Sequence, residues 1–77
     1  MNTNELMLLF HNARGDKERT REIIKEYCTP INNPPDMVDV EWLGYFIPKR
    51  GKPVYICNDM GQIIALTEDD YQTVCNE

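Results

Sequence analysis

Residues 40–67 read VEWLGYFIPKRGKPVYICNDMGQIIALT, and three runs of β-branched and aromatic residues within them decide the fold. The first run, Val40–Ile47, fits a pleated surface, and it stops at Pro48, which cannot donate to a strand ladder. The second, Val54–Cys57, follows a connection from Pro48 to Pro53 built of turn residues around Gly51. Asn58, Asp59, Met60 and Gly61 then supply a tighter turn, with Gly61 free to take positive φ after a type I turn. The third run is Gln62–Thr67. Two hairpins in series predict a three-stranded antiparallel meander.

Strict alternation places Val40, Trp42, Gly44 and Phe46 on one face of the first strand and Glu41, Leu43, Tyr45 and Ile47 on the other. Ile63 and Ala65 likewise oppose Ile64 and Leu66. Neither face is polar enough for a sheet with one side in water. One face is therefore expected under helices and the other open to a partner, with Trp42 and Tyr45 on opposite sides.

Working outward, the N-terminal 28 residues carry helical periodicity. Asn2 with Glu5 three residues later resembles a capping box, and Leu6, Leu9, Phe10 and Ala13 form an apolar stripe behind it. Gly15 is a candidate helix terminator and Asp16 a candidate N-cap for a second stripe of Thr20, Ile23, Ile24 and Tyr27. One long helix tolerating Gly15 at a cost of about 1 kcal/mol is the alternative; two helices are the preferred reading. Thr29–Pro30 and Pro34–Pro35 end helical structure near Cys28 and predict a surface linker over residues 29–39. On the C-terminal side, Thr67 followed by Glu68, Asp69 and Asp70 reads as an N-cap with acidic first-turn residues, opening a short helix to about Asn76. The expectation is an α+β fold in one small domain spanning 1–77: a helical region, a linker, the meander and a short helix.

With 77 residues and 42% hydrophobic composition, a chain of this size buries only about 60% of its unfolded surface, leaving room for one core and no deep cavity. The 27% charged fraction and mean hydropathy of −0.54 belong to a globular chain. No apolar run approaches membrane-spanning length, and no basic stretch precedes Leu6–Phe10 as in a signal peptide. A cytoplasmic location without membrane association is expected.

Charge is unevenly placed within a net −5. Lys49, Arg50 and Lys52 make the loop after the first strand basic. Residues 53–77 hold Asp59, Glu68, Asp69, Asp70 and Glu77 and no Lys or Arg. An acidic chain is a poor general ligand for nucleic acid or anionic membrane, because phosphate binding needs a basic face to displace counterions. A protein partner with a basic surface suits it better.

No constellation for catalysis is present: there is no phosphate loop, no nucleophile elbow, and one His only. Adjacent Asp69 and Asp70 point about 100° apart on a helix, and capping accounts for them. The chain is read as not an enzyme and as needing no cofactor. Arg14-Gly15-Asp16 spells an adhesion tripeptide, yet it falls at a helix junction rather than in an extracellular loop. Cys28, Cys57 and Cys75 with His11 are too scattered for a metal site and read as packing or surface residues.

Two classes of function follow. The first is a protein-binding module, an inhibitor or adaptor of a larger enzyme or nucleic-acid machine. Compact acidic proteins of that sort are often carried by mobile genetic elements or paired with toxins, an association of class alone. The second is nucleic-acid binding through the Lys49–Lys52 tip, with Trp42 or Tyr45 stacking on a base; the bland reading of that tip is a solubilising turn. A homodimer formed through a sheet edge or the uncovered face is a third. The binding residues expected are Trp42, Tyr45, Tyr55, Lys49, Arg50, Lys52, Glu68, Asp69 and Asp70.

An odd cysteine count with no Cys-x-x-Cys spacing points to reduced thiols. Thermal stability is expected to be equal with and without reductant, and a drop of many degrees on reduction would reveal a structural disulfide.

Overall fold

The computed structural model describes residues 1–76. Its elements are α1 (Thr3–Asn12), α2 (Lys17–Tyr27), β1 (Val40–Phe46), β2 (Val54–Asp59), β3 (Gln62–Thr67) and α3 (Glu68–Cys75). The strands form one antiparallel sheet in the order β1-β2-β3, so the α+β meander is the fold.

Each helix begins where a side-chain oxygen satisfies an otherwise orphaned N–H. The Glu5 N–H donates to Asn2 Oδ1 at 2.8 Å, that of Arg19 to Asp16 Oδ1 at 3.1 Å, and that of Asp70 to Thr67 Oγ1 at 3.2 Å. The two N-terminal helices are separate because Gly15 adopts φ +88°, a left-handed conformation that ends a helix at little cost only for glycine. The adhesion-like tripeptide is thus a helix junction. The charged face of α2 is solvated, and its Arg19–Glu22 contact of 3.3 Å is exposed on both sides and adds little.

One face of the sheet receives α1 and α2. Leu6 and Phe10 from α1, Ala13 at its C-cap, Ile23 from α2, Phe46 from β1 and Ile56 from β2 are all buried and form one cluster, with Leu43, Val54, Ile63 and Ala65 packed against it. Leu6, Ile23 and Ile56 are fully buried. Shortening any one of them to Ala removes transfer energy and leaves a cavity, a combination that costs about 2–5 kcal/mol.

Two local expectations are corrected. The β2–β3 connection is tighter than a type I turn: β2 runs on to Asp59, and Met60 (φ +53°) and Gly61 (φ +89°) both take positive φ. That pair of angles belongs to a two-residue type I′ turn, whose twist matches the strands. Met60 is an unusual occupant, because a side chain with a Cβ is disfavoured there. The second correction concerns residues 29–39, which do more than cross the surface. Thr29 pairs with Tyr45 on the outer edge of β1, exchanging two backbone hydrogen bonds of 2.8 Å.

That pairing coincides with a β-bulge. The β1–β2 register moves from Trp42↔Cys57 to Gly44↔Ile56, leaving Leu43 as the extra residue. Gly44 has φ +146°, and a Cβ placed on it would lie 2.7 Å from the Thr29 carbonyl oxygen and 3.2 Å from Cys28 Cβ. Only a residue without a side chain fits both the angle and the crossing chain.

Gly44→Ala is therefore expected to lower stability on the order of 3 kcal/mol, combining backbone strain with loss of the Thr29 pairing. Urea unfolding of the variant measures this. A loss below about 1 kcal/mol would mean that the 28–29 segment yields without consequence.

Candidate functional site

The bulge decides where the aromatic side chains go. On β2, Tyr55 and Cys57 are two residues apart and share a face. Tyr45 pairs with Tyr55 and Trp42 pairs with Cys57, so Trp42 and Tyr45 lie on the same side of the sheet. The extra residue at Leu43 reverses the alternation that would separate them. This face is the one opposite α1 and α2.

The face is not left open. Helix α3 folds back over it and inserts Tyr71, which is 7% exposed. The Tyr71 ring stacks on Tyr55 with centroids 3.7 Å apart and planes within 3°, and it meets Trp42 edge to face at 5.2 Å and 85°. Tyr45 lies 6.0 Å from Tyr55. Four aromatic side chains therefore make a second, smaller core, reinforced by buried Cys57; contacts of this type add about 0.5–1.5 kcal/mol each beyond burial. Trp42 is a packing residue here rather than an exposed anchor: it is half-buried, and its indole N–H is buried without an acceptor among the described residues.

What α3 leaves uncovered is a groove of about 480 Å³ lined by Thr29, Pro30, Ile31, Asn32, Tyr45, Tyr55 and Tyr71. The linker forms one wall, the tyrosines the floor and the other wall. Among the described residues, the hydroxyls of Tyr45 and Tyr55 make no hydrogen bond. They are available to a ligand. The protein is 18 Å through its thinnest axis, and the groove is shallow; a second shallow concavity of about 350 Å³ lies at the other end of the sheet, between Asp39–Glu41 and the Met60–Gly61 turn.

The charged candidates gather at the groove's end of the sheet. The Val54↔Thr67 pairing brings the start of α3 level with the β1–β2 loop. Lys49, Arg50 and Lys52 on that loop are exposed, as are Asp69 and Asp70, while Glu68 is half-buried. Among the described residues no ion pair joins the two groups; the ion pair present is Arg19–Glu22. Glu68 is felt at the groove floor: burial pushes the Tyr55 phenol upward, and the Glu68 carboxylate adds to that shift.

Of the nine sequence-derived residues, Tyr45 and Tyr55 line the groove, the five exposed charges and Glu68 gather at one end of the sheet, and Trp42 packs against Tyr71. Missed were Tyr71, Pro30 and Ile31. The signal for Tyr71 was its place one turn inside a helix capped at Thr67, as the one large aromatic side chain with which so short a helix could dock. Pro30 and Ile31 had no comparable signal, because their position depends on the Thr29–Tyr45 pairing. The first-turn acids of α3 lie at its N-terminus, where they favour the helix dipole.

Burial, followed by the neighbouring Cys75 thiol and Tyr55, pushes the Tyr71 phenol from its ordinary 10.0 up to about 12. The folded chain thus holds this proton more tightly than the unfolded chain does. Tyr71's contribution to stability is complete below pH 10.0 and is lost as pH rises toward about 12. Burial also raises Cys57 and Cys28, which act with the same sign. Stability is expected to fall on the alkaline side, and Tyr71→Phe, which keeps the stacked ring, should flatten that fall. Urea midpoints at neutral pH and within the alkaline window test this; an equally steep loss in the variant would assign it to other groups. No family model, no curated protein and no solved structure matches this chain, so the chemistry of the aromatic face is the ground on which its function is argued.

Proposed function

We propose that this chain is a protein-binding module, an inhibitor or adaptor for a larger enzyme or nucleic-acid machine, that holds an extended segment of its partner in the tyrosine groove. The observation that carries this reading is the groove itself: Tyr45, Tyr55 and Tyr71 side by side against Pro30 and Ile31, with two phenol hydroxyls free to donate. Tyr45 and Tyr55, tilted at 45° with centroids 6.0 Å apart and with unbonded hydroxyls, suit a polyproline II segment, whose prolines pack on the ring surface left exposed and whose carbonyls accept from the hydroxyls. Such a ligand is already extended, so little ordering entropy opposes binding.

Charge favours a partner segment that also carries a basic residue. Glu68 adjoins Tyr55, and Asp69 and Asp70 are exposed beside it with no cation of the chain paired to them among the described residues. An Arg or Lys flanking the proline would find these carboxylates. The basic loop then serves as the opposite pole and orients the segment, giving on-rate and register more than affinity.

The nucleic-acid reading depends on Lys49, Arg50 and Lys52 beside a stacking ring. Trp42 is withdrawn from that role by its contact with Tyr71, and the net charge of −5 opposes polyanion binding. Only Tyr45 and Tyr55 remain for it.

Selection from a random peptide library displayed on phage is expected to enrich proline-containing sequences with a neighbouring Arg or Lys. Tyr45→Ala, which leaves the Tyr55–Tyr71 stack in place, should weaken the selected peptide about tenfold or more, the loss expected of a central aromatic anchor. Asp69→Lys with Asp70→Lys should weaken it in a salt-dependent manner, whereas Lys49→Ala, Arg50→Ala and Lys52→Ala together should matter less. Tight binding of single-stranded RNA that disappears in the triple alanine variant would replace this proposal with the nucleic-acid one.

A further inference from the structure

The two edges of the sheet are treated differently. The β1 edge is blunted three times: by the Leu43 bulge, by the Thr29 pairing that occupies Tyr45, and by Pro48, which follows the strand. These are the devices by which folded chains keep other strands off an edge. The β3 edge carries none of them. Gln62-Ile-Ile-Ala-Leu-Thr67 contains no charge and no proline, and Ile63, Ile64, Ala65 and Leu66 are all part-exposed.

The turn fixes which backbone groups of β3 are free. In a two-residue hairpin the residues flanking the turn form a hydrogen-bonded pair, here Asp59↔Gln62. Alternation then directs the N–H and C=O groups of Gln62, Ile64 and Leu66 toward β2 and those of Ile63 and Ala65 toward the open edge. Among the described residues no backbone hydrogen bond outside the hairpin reaches either residue. Two donors and two acceptors stand in register on an apolar edge.

Both ends of that edge are acidic. Asp59 precedes the turn, Glu68, Asp69 and Asp70 follow the strand, and no Lys or Arg lies anywhere in residues 53–77. An antiparallel second copy would bring the Asp59 end of one chain against the Glu68–Asp70 end of the other, setting like charges together. A strand with basic ends meets the opposite sign at both.

We infer that the β3 edge takes up an extended strand of a partner protein, apolar at its centre and carrying Lys or Arg at its ends, as a fourth strand of the sheet. Main-chain bonds to Ile63 and Ala65 supply the register, and the terminal charges choose the partner. This contact uses another edge of the sheet and none of the residues that line the tyrosine groove, and it shares with the groove only the Glu68–Asp70 acids.

The test uses the full chain, uniformly ¹⁵N-labelled, and three capped synthetic peptides. The first is Lys-Thr-Val-Thr-Val-Thr-Lys; the second replaces both lysines with Glu; the third keeps the lysines and is N-methylated at every central amide. The first is expected to shift the Gln62–Thr67 amides and slow hydrogen exchange at Ile63 and Ala65, and to bind about tenfold more tightly than the second at low salt. The third should not bind, since it keeps the charge and loses the donors. Equal binding of the methylated peptide, equal binding of the Glu peptide, or shifts at Tyr45 and Tyr55 instead of β3 would each overturn the inference. So would concentration-dependent dimerisation with protection at Ile63 and Ala65 in the absence of peptide, which would make the occupant a second copy.

Discussion

The crossing of residues 28–29 over Gly44 is the constraint on which the rest of the structure depends. A chain leaving α2 must reach the sheet, and it does so by laying Thr29 along β1 closely enough that a methyl group at position 44 would collide with a carbonyl oxygen. The bulge at Leu43 accommodates this and in doing so rotates the strand. Before the bulge, Val40 and Trp42 face α3; after it, Tyr45 does. Without the extra residue, Tyr45 would turn into the α1–α2 side, and Phe46, which is buried against α1 and α2, would turn out. One irregularity therefore sets the composition of both cores.

That arrangement explains how so short a chain covers two sheet faces. A meander with apolar residues on both sides needs two covers, and α1 with α2 supplies one. The other is an eight-residue helix, too short to be stable by itself in water. Its N-terminus is held by Thr67 and its first-turn acids, and its docking rests on Tyr71 stacked against Tyr55 and Trp42. Because α3 spans so little, it leaves the Tyr45 side of the face bare, and the linker wall at Pro30 and Ile31 turns that bare strip into a groove.

The legible parts of this fold are those whose cause is local. Asn2, Asp16 and Thr67 cap helices three residues away, so both partners of each bond sit in one short window of sequence, and all three were readable. So were the three strands and the glycine between the first two helices. The bulge was not, since Gly44 in an alternating run gives no sign that Thr29, fifteen positions earlier, will press against it. The error then propagated: alternation without the bulge sends Trp42 and Tyr45 to opposite faces, makes one of them an exposed anchor, and leaves the second face empty. Met60 misled in a smaller way, because a methionine at positive φ runs against turn preference. The charged candidates were legible as two runs of sequence, while their neighbourhood at one end of the sheet comes from the Val54↔Thr67 register.

The same logic separates what is structural from what is available. Trp42 and Tyr71 are committed to holding α3, with Tyr55 beneath the Tyr71 ring, and removing any of these rings changes the fold before it changes any surface. Tyr45 and Tyr55 have one side in the packing and their hydroxyls outside it, and the charges of residues 49–52 and 68–70 have no partners within the described chain. Glu68, Asp69 and Asp70 act on the α3 N-terminus through its dipole, whereas Lys49, Arg50 and Lys52 are exposed on their loop and enter no ion pair among the described residues. Neutral polar residues in place of the three bases would serve stability as well, because exposed unpaired charge adds little to folding, while the same change at residues 68–70 would forfeit the favourable interaction with the helix N-terminus. At this end of the sheet, aromatic area, the unbonded hydroxyls of Tyr45 and Tyr55 and both signs of charge are brought together by the β1–β2–β3 register.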